Sequence, residues 1–302
     1  MFGVSTSWNY QRHNNAKSMI EEIKKLGIDS VELNFKLSKE MVGGVAELVE
    51  MSFIKVLSLH NFCPVPDSVE ISKASPDYYS LASLDTTERK RAVVETKRTM
   101  DTACRLKAKA IVVHAGRLDI KDRTRELAKL IEDGRDPAAL IISMQEEREN
   151  ALRKGYLDRL LESIREISDY SKKTGIKIGL ENRFYFRELP SIEDFTAIFA
   201  AFKDPNIGYW HDTGHAQVYE NLKLLRHMEY LEKFASRLIG VHLHDVSGVI
   251  DDHNAPFTGD LDFSMLRPFL NKKIIRILEP HDPARAEDIK IAIERLKKLY
   301  GE

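Results

Sequence analysis

The chain has 302 residues, 43% of them hydrophobic and 31% charged, with a formal net charge of −1. That balance suits a soluble globular chain with a sizeable core, and it excludes a global positive field that would draw the chain to nucleic acid or a membrane surface. Two distant cysteines, Cys63 and Cys104, exclude a disulfide framework, no apolar run reaches membrane-span length, and the first residues lack the basic and long apolar regions of a signal peptide, so a cytoplasmic location is expected.

Phe2 to Ser5 is short and apolar and predicts a first strand. Asn14 and Asn15 can cap a helix with apolar positions Met19, Ile20, Ile23 and Leu26, closed by Gly27. Ser30 to Asn34 predicts the second strand. A helix over Lys39 to Met51 follows, weakened by Gly43 and Gly44. Val56 to His60 is the third strand and ends in histidine. Asn61 to Leu84 is irregular, with Pro64, Pro66 and Pro76, and a loop of that length in a compact domain usually has a task such as covering a site. Thr86 or Thr87 caps a long helix to Leu106, and Ala110 to His114 is the fourth strand, again ending in histidine. Arg117 to Asp133 reads as a polar helical excursion. Asp136-Pro137 opens a further helix that runs to about Lys173, where Gly175 stops it.

Ile176 to Glu181 is the fifth strand, ending in glutamate. Ser191, with Asp194 three residues on, predicts a helix start. Ile207 to Asp212 is the sixth strand and opens into Asp212-Thr213-Gly214-His215. A helix through Leu222 to Phe234 leads to the seventh strand, Leu238 to His242. Leu243 to Asp262 is a polar loop rich in His and Asp, and Leu266 to Leu270 a short helix. Ile274 to Glu279 is the eighth strand, and Asp282-Pro283 begins the last helix, to Tyr300.

Eight continuously apolar strands, each followed by helix, predict an α/β fold: a single (β/α)8 TIM-barrel domain over residues 1–302. An open doubly wound sheet has less support, because no Gly-rich phosphate fingerprint follows the first strand. In such a barrel all strand C-termini open onto one face. Strands three to eight would deliver His60, His114, Glu181, Asp212 with His215, His242 and Glu279 to that rim, and the loop after strand seven adds Asp251, Asp252 and His253. A lone strand-ending histidine is more often a hydrogen-bonded structural residue, and a lone glutamate can cap the next helix. Their convergence on one rim is what those readings leave unexplained. Imidazole and carboxylate donors without thiolate suit a divalent metal at the C-terminal ends of the strands, Zn, Mn, Co or Fe(II).

The motifs Leu180-Glu181-Asn182, Asp212-Thr213-Gly214-His215-Ala216, His242-Leu243-His244-Asp245, Asp251-Asp252-His253 and Leu278-Glu279 resemble those of the xylose isomerase-like barrel superfamily over nearly the whole chain. That superfamily holds sugar and sugar-phosphate isomerases and epimerases, and also zinc-dependent apurinic endonucleases. The resemblance implies one to three ions, Zn or Mn. In the epimerase branch a single ion is held by Glu181, Asp212, His242 and Glu279. In the endonuclease branch His60, His114 and Glu181 hold a first ion, the same four residues a second, and His215, Asp251 and His253 a third.

Two chemistries therefore share one ligand set. As an isomerase or epimerase, the chain would use Glu181 and Glu279 as acid and base beside a carbonyl. As a phosphodiesterase it would cleave at an abasic site. A metal-loaded barrel that only binds a ligand is the third reading. Three departures turn the reading from the nuclease: Asn61-Phe62-Cys63-Pro64 follows His60, Thr258-Gly259-Asp260 stands where Gly-Glu-Gly is expected, and the net charge offers no phosphate attraction. A small carbohydrate-like substrate is thus expected, with no membrane partner. Asn182, Arg183, Arg187 and His215 are the candidate substrate contacts, the two arginines for a phosphate or carboxylate. His244 is read as a supporting residue, and Asp245 as a group able to orient a ligand histidine.

Overall fold

A computed structural model of the chain describes residues 2–301, apart from the side chains of Asp251 and Asp252. Eight parallel strands close into a barrel: β1 (Phe2–Ser5), β2 (Ser30–Leu33), β3 (Lys55–His60), β4 (Ala110–Val113), β5 (Lys177–Glu181), β6 (Ile207–Asp212), β7 (Leu238–Leu243) and β8 (Ile275–Leu278). Each strand pairs with its sequence neighbours, and β1 pairs with β8 to close the ring. The fold is the (β/α)8 barrel that the strand count predicts.

Ten helices surround the described barrel: α1 (Ala16–Lys24), α2 (Lys39–Glu50), α3 (Thr86–Arg105), α4 (Thr124–Glu132), α5 (Ala138–Leu152), α6 (Tyr156–Thr174), α7 (Ile192–Ala201), α8 (Thr213–Asn221), α9 (His227–Phe234) and α10 (Ala286–Tyr300). Their starts follow local chemistry. Asn15 accepts from the Ser18 N–H at α1, Asp85 from Thr87 and Glu88 at α3, and Ser191 with Asp194 forms a reciprocal capping box at α7. Among the described residues, no helix is long and apolar enough to cross a membrane.

Five expected elements differ, the first being the short helix expected over Leu266–Leu270, in whose place a 3-10 turn spans Phe263–Leu266. The helix expected from Asp136 to Lys173 is two helices, broken at Gly155, whose φ of +96° leaves the right-handed region. Arg117, expected to open a helix, instead lies with Gly116 in a two-residue strand that pairs antiparallel with Glu188–Leu189, and the helix begins only at Thr124. The helix expected from Leu222 is preceded by α8, which starts at Thr213 under the Asp212 cap despite Gly214. The last helix begins at Ala286 rather than at Asp282.

Two apolar layers result. The outer one packs helices onto the barrel's outside. The inner one, Leu57, Ala110, Val112, Trp210, Ile239, Ile275 and Ile277, fills the barrel itself. Trp210 is its centre, and Gly179 and Gly240 make room for it: a Cβ at either would press into the indole. This plug is the floor on which the polar residues sit.

Candidate metal and substrate site

Side chains alternate along a strand, so the inner plug fixes which residues follow it inward. From Val112 the next inward residue is His114; from Gly179, Glu181; from Trp210, Asp212; from Ile277, Glu279. In β3 and β7 simple alternation would fail. Leu57 and Ile239 are in the plug, which would turn His60 and His242 outward. In both places the register slips by one residue: Val31 pairs Val56 but Glu32 pairs Ser58, and Tyr209 pairs Leu238 but Trp210 pairs Gly240. These two irregularities re-aim His60 and His242 into the barrel mouth.

The centre is His242, fully buried. Its Nδ1 lies 2.8 Å from Glu181 Oε1, 3.0 Å from Glu279 Oε2 and 3.6 Å from Asp212 Oδ2. Its Nε2 lies 2.9 Å from Glu32 Oε1, and Glu32 Oε2 accepts from Ser58 Oγ at 2.6 Å. Burial alone would lower the His242 pKa, but Glu279, Glu32 and Glu181 outweigh it and hold it well above the usual histidine range. Glu279 is pushed up to about 8, first by burial and then by the charges of Glu32, Glu181 and Asp212, against the pull of His242. Glu181 and Asp212 go the other way: burial raises both, but the imidazoles around them win and hold both carboxyls well down.

This donor set fits a divalent cation. The ligand atoms of Glu181, Asp212, His242 and Glu279 lie within 4.8 Å of one another, all four residues are buried, and the surplus negative charge that raises Glu279 is what a cation compensates. Two further groups meet the same distance: His60, His114 and Glu181, and His215, His244 and His253. Asp251, expected beside His215 and His253, has its side chain outside the described residues.

Supporting contacts orient these groups. Asp212 caps α8 by accepting from the His215 N–H at 2.7 Å, and both its oxygens meet His244 Nε2 at 2.8 and 2.9 Å. Gly214 is required here, because a Cβ would enter the His244 ring. His244 Nδ1 accepts from the His253 N–H at 2.9 Å, so His244 supports Asp212 through its other nitrogen. His215 Nδ1 donates to the Asn182 carbonyl and His253 Nδ1 to that of Glu279. Asp245, expected to orient a histidine, instead accepts from the backbone N–H groups of Gly259 and Leu261 and so anchors its loop.

Above this floor opens a cavity of about 380 Å³. Phe35, Pro76, Phe184 and Tyr185 give it apolar walls; His60, His114, Glu181, Arg183, His215, His253 and Glu279 face it as the sequence places them. Asp77, Arg125, Glu188 and His281 also line it, and the sequence does not single them out. His281 stacks on His253 with ring centroids 3.6 Å apart. Asp77 sits in the long loop 61–84, which therefore reaches the site as a covering loop should. Asn182 does not line the cavity: its amide is engaged by the Asp212 backbone on both sides and by Tyr209 Oη. Arg187 is half-buried and outside the lining, and Phe62 and Cys63 are buried in the outer core.

The xylose isomerase-like TIM barrel family matches residues 20–299. The chain belongs to that family. Solved structures share its architecture across almost the full length. A D-tagatose 3-epimerase-like protein is 23% identical with a TM-score of 0.70, covering 99% of this chain and 97% of its own. The 3-keto-D-glucoside 4-epimerase of E. coli is 15% identical with a TM-score of 0.68, covering 98% of each chain. The IolI protein, solved with a bound zinc atom, is 16% identical with a TM-score of 0.66, covering 99% of this chain and 98% of its own. At these identities the likeness is one of fold.

Proposed function

We propose that the chain is a metal-dependent isomerase or epimerase of a small sugar or related polyol or keto compound. The observation that carries this is the meeting of three buried carboxylates, Glu181, Asp212 and Glu279, on one imidazole nitrogen at the base of a cavity sized for a small ligand. Glu181, Asp212, His242 and Glu279 are the residues that would hold the ion. A divalent ion there supplies a Lewis acid that polarises a carbonyl and stabilises negative charge developing on its oxygen. The chain's own part is proton movement and enclosure. Glu181 and Glu279 approach from strands five and eight, so they can serve opposite faces of a ring or open-chain sugar, one accepting a proton beside the carbonyl and the other returning it. Phe35, Phe184 and Tyr185 shield that carbon from water. The 3-keto-D-glucoside 4-epimerase and the D-tagatose 3-epimerase-like protein among the solved structures support the substrate class, and the zinc-bound IolI supports the ion.

Arg183, the buried guanidinium in the lining, already faces Asp77, Glu181 and Glu188, so the exposed Arg125, also in the lining, is the cation that would meet the phosphate of a sugar phosphate. The test is solvent deuterium incorporation at the carbon beside the carbonyl, run on ketohexoses and keto-glycosides with Mn or Zn present. Incorporation that is lost in Glu279→Gln, with metal content measured alongside, is the expected result. Interconversion with neither exchange nor a primary isotope effect would replace proton transfer with a hydride shift. Incision of abasic duplex DNA, abolished by Glu181→Gln, would replace the whole reading with the phosphodiesterase one.

A further inference from the structure

By donor chemistry alone the corner formed by His60, His114 and Glu181 is as good an ion site as the four-residue set beside it, since its ligand atoms also fall within 4.8 Å. One more group stands in that corner. Arg183 Nη1 abuts His114 Nε2 and lies 3.5 Å from Glu181 Oε2, the oxygen that His114 Nε2 meets at 2.8 Å and His60 Nε2 approaches at 3.5 Å. The guanidinium is held from behind. Its Nη2 donates to Glu188 Oε1 at 3.1 Å and to Asp77 Oδ2 at 3.3 Å.

We infer that Arg183 takes the place of a cation in the His60–His114–Glu181 corner, so that the chain holds a divalent ion in the Glu181–Asp212–His242–Glu279 set and not in that corner. This deepens the metal-dependent reading above and rests on it. Three features make the guanidinium a fixture. It is 5% exposed, and both its terminal nitrogens are engaged. Its two carboxylate anchors come from separate segments, Asp77 from the loop after β3 and Glu188 from the ribbon paired with Gly116–Arg117. Asp77 also binds His114 Nδ1 at 2.9 Å, so one carboxylate fixes both the imidazole and the cation that faces it. An arginine is always charged and presents N–H donors, never a lone pair. An ion placed among the same three donors would meet that positive charge and compete with those N–H groups for His114 Nε2 and Glu181 Oε2. His60 and His114 are then left as hydrogen-bonding groups of the cavity wall.

Zinc stoichiometry tests this directly. The wild-type chain and an Arg183→Met/Glu188→Gln double variant, which removes the cation together with one anchoring carboxylate, are loaded with zinc, freed of excess ion and measured by elemental analysis. Crystals of both are examined at the zinc absorption edge. One ion in the wild type, seated in the four-residue set, and a second between His60 and His114 in the variant is the expected result. A wild-type peak between His60 and His114 overturns the inference, and this measurement stands even where the variant does not fold. One ion in both proteins, with the corner empty in each, also overturns it, since Arg183 would not be what keeps the ion out. A wild-type chain that takes up no zinc at all defeats the metal-dependent reading itself, and this inference with it.

Discussion

Glu32 offers the sharpest test of how the site is built. It touches neither the cavity nor the candidate metal position; it meets His242 Nε2 at 2.9 Å and Ser58 Oγ at 2.6 Å, fully buried. A carboxylate on the far nitrogen of an imidazole fixes the ring so that Nδ1 faces Glu181 and Glu279, and it makes that nitrogen a better donor to a cation. Glu32→Gln keeps the size and both contacts but removes the charge. Losing such a supporting carboxylate typically costs about 10–100-fold in metal affinity, or about 1.4–2.8 kcal/mol. The magnitude can be followed by unfolding. At an ion concentration about 1,000 times the wild-type Kd, the ion stabilises the native chain by about 4.1 kcal/mol, and the variant should retain only about 1.4–2.7 kcal/mol of that. Chemical denaturation of both proteins, with and without ion, measures the difference. Ser5→Ala is the control: Ser5 Oγ meets Glu279 at a longer 3.3 Å and leaves His242 untouched. A Glu32→Gln chain that binds the ion within twofold of wild type would refute the role of Glu32, and with it the idea that His242 is held from behind.

Three further outcomes follow from the same geometry. Chelation should abolish turnover and lower the melting temperature, because an ion bound to the native state alone stabilises it; an unchanged melting curve after verified metal removal contradicts metal binding at this site. His227 is buried against His211 and its pKa is pulled down to about 3 by burial, so the native chain does not take its proton until far below the pH at which the unfolded chain does. Stability from this group is therefore complete above about pH 6.5 and falls as pH drops toward 3, by about 2 kcal/mol at pH 5; His227→Gln should flatten that acid limb in pH-dependent denaturation, and an unchanged slope refutes it. Gly214→Ala should cost roughly 1–3 kcal/mol in denaturation, as overpacking does, and weaken ion binding, because its Cβ enters the His244 ring that holds Asp212; a variant as stable as wild type would show that His244 moves aside at no cost.

The sequence read well where the signal was local. The eight strands are apolar runs bounded by caps and glycines, and His60, His114, Glu181, Asp212, His242 and Glu279 stand at their ends, so a count of runs was enough to bring them to one rim. What it missed depends on pairing across the chain. Glu32 is a lone charge in a short strand, and only the register slip opposite Leu57 shows that it faces Ser58 and His242. Asp77 and Glu188 lie in segments with no periodicity, and nothing near them in sequence says that both meet Arg183. Asn182 adjoins the candidate ligand Glu181 and so reads as a substrate contact, yet its amide satisfies the Asp212 backbone, which is a demand of the β5–β6 junction. Asp245 shows the same limit, since its loop partners Gly259 and Leu261 come from well beyond it in sequence.

The distribution of charge across the mouth explains why the halves of one rim behave differently. Below it the Trp210 layer is apolar and buried and offers no polar partner from its aliphatic side chains, so each carboxylate that a strand end delivers is paired in the mouth itself. On the β3–β5 side Glu181 Oε2 meets His60, His114 and Arg183, and the chain supplies its own cation. On the β6–β8 side Asp212 and Glu279 share His242 and His244, with Glu32 reaching His242 from β2, and no arginine or lysine is paired with these three carboxylates among the described residues. The shift of Glu279 to about 8 comes first from burial, and then from Glu32, Glu181 and Asp212, whose charge outweighs the pull of His242. A divalent ion placed there would let Glu279 ionise and act as a base toward a bound sugar. The same ion on the Arg183 side would meet a charge already balanced.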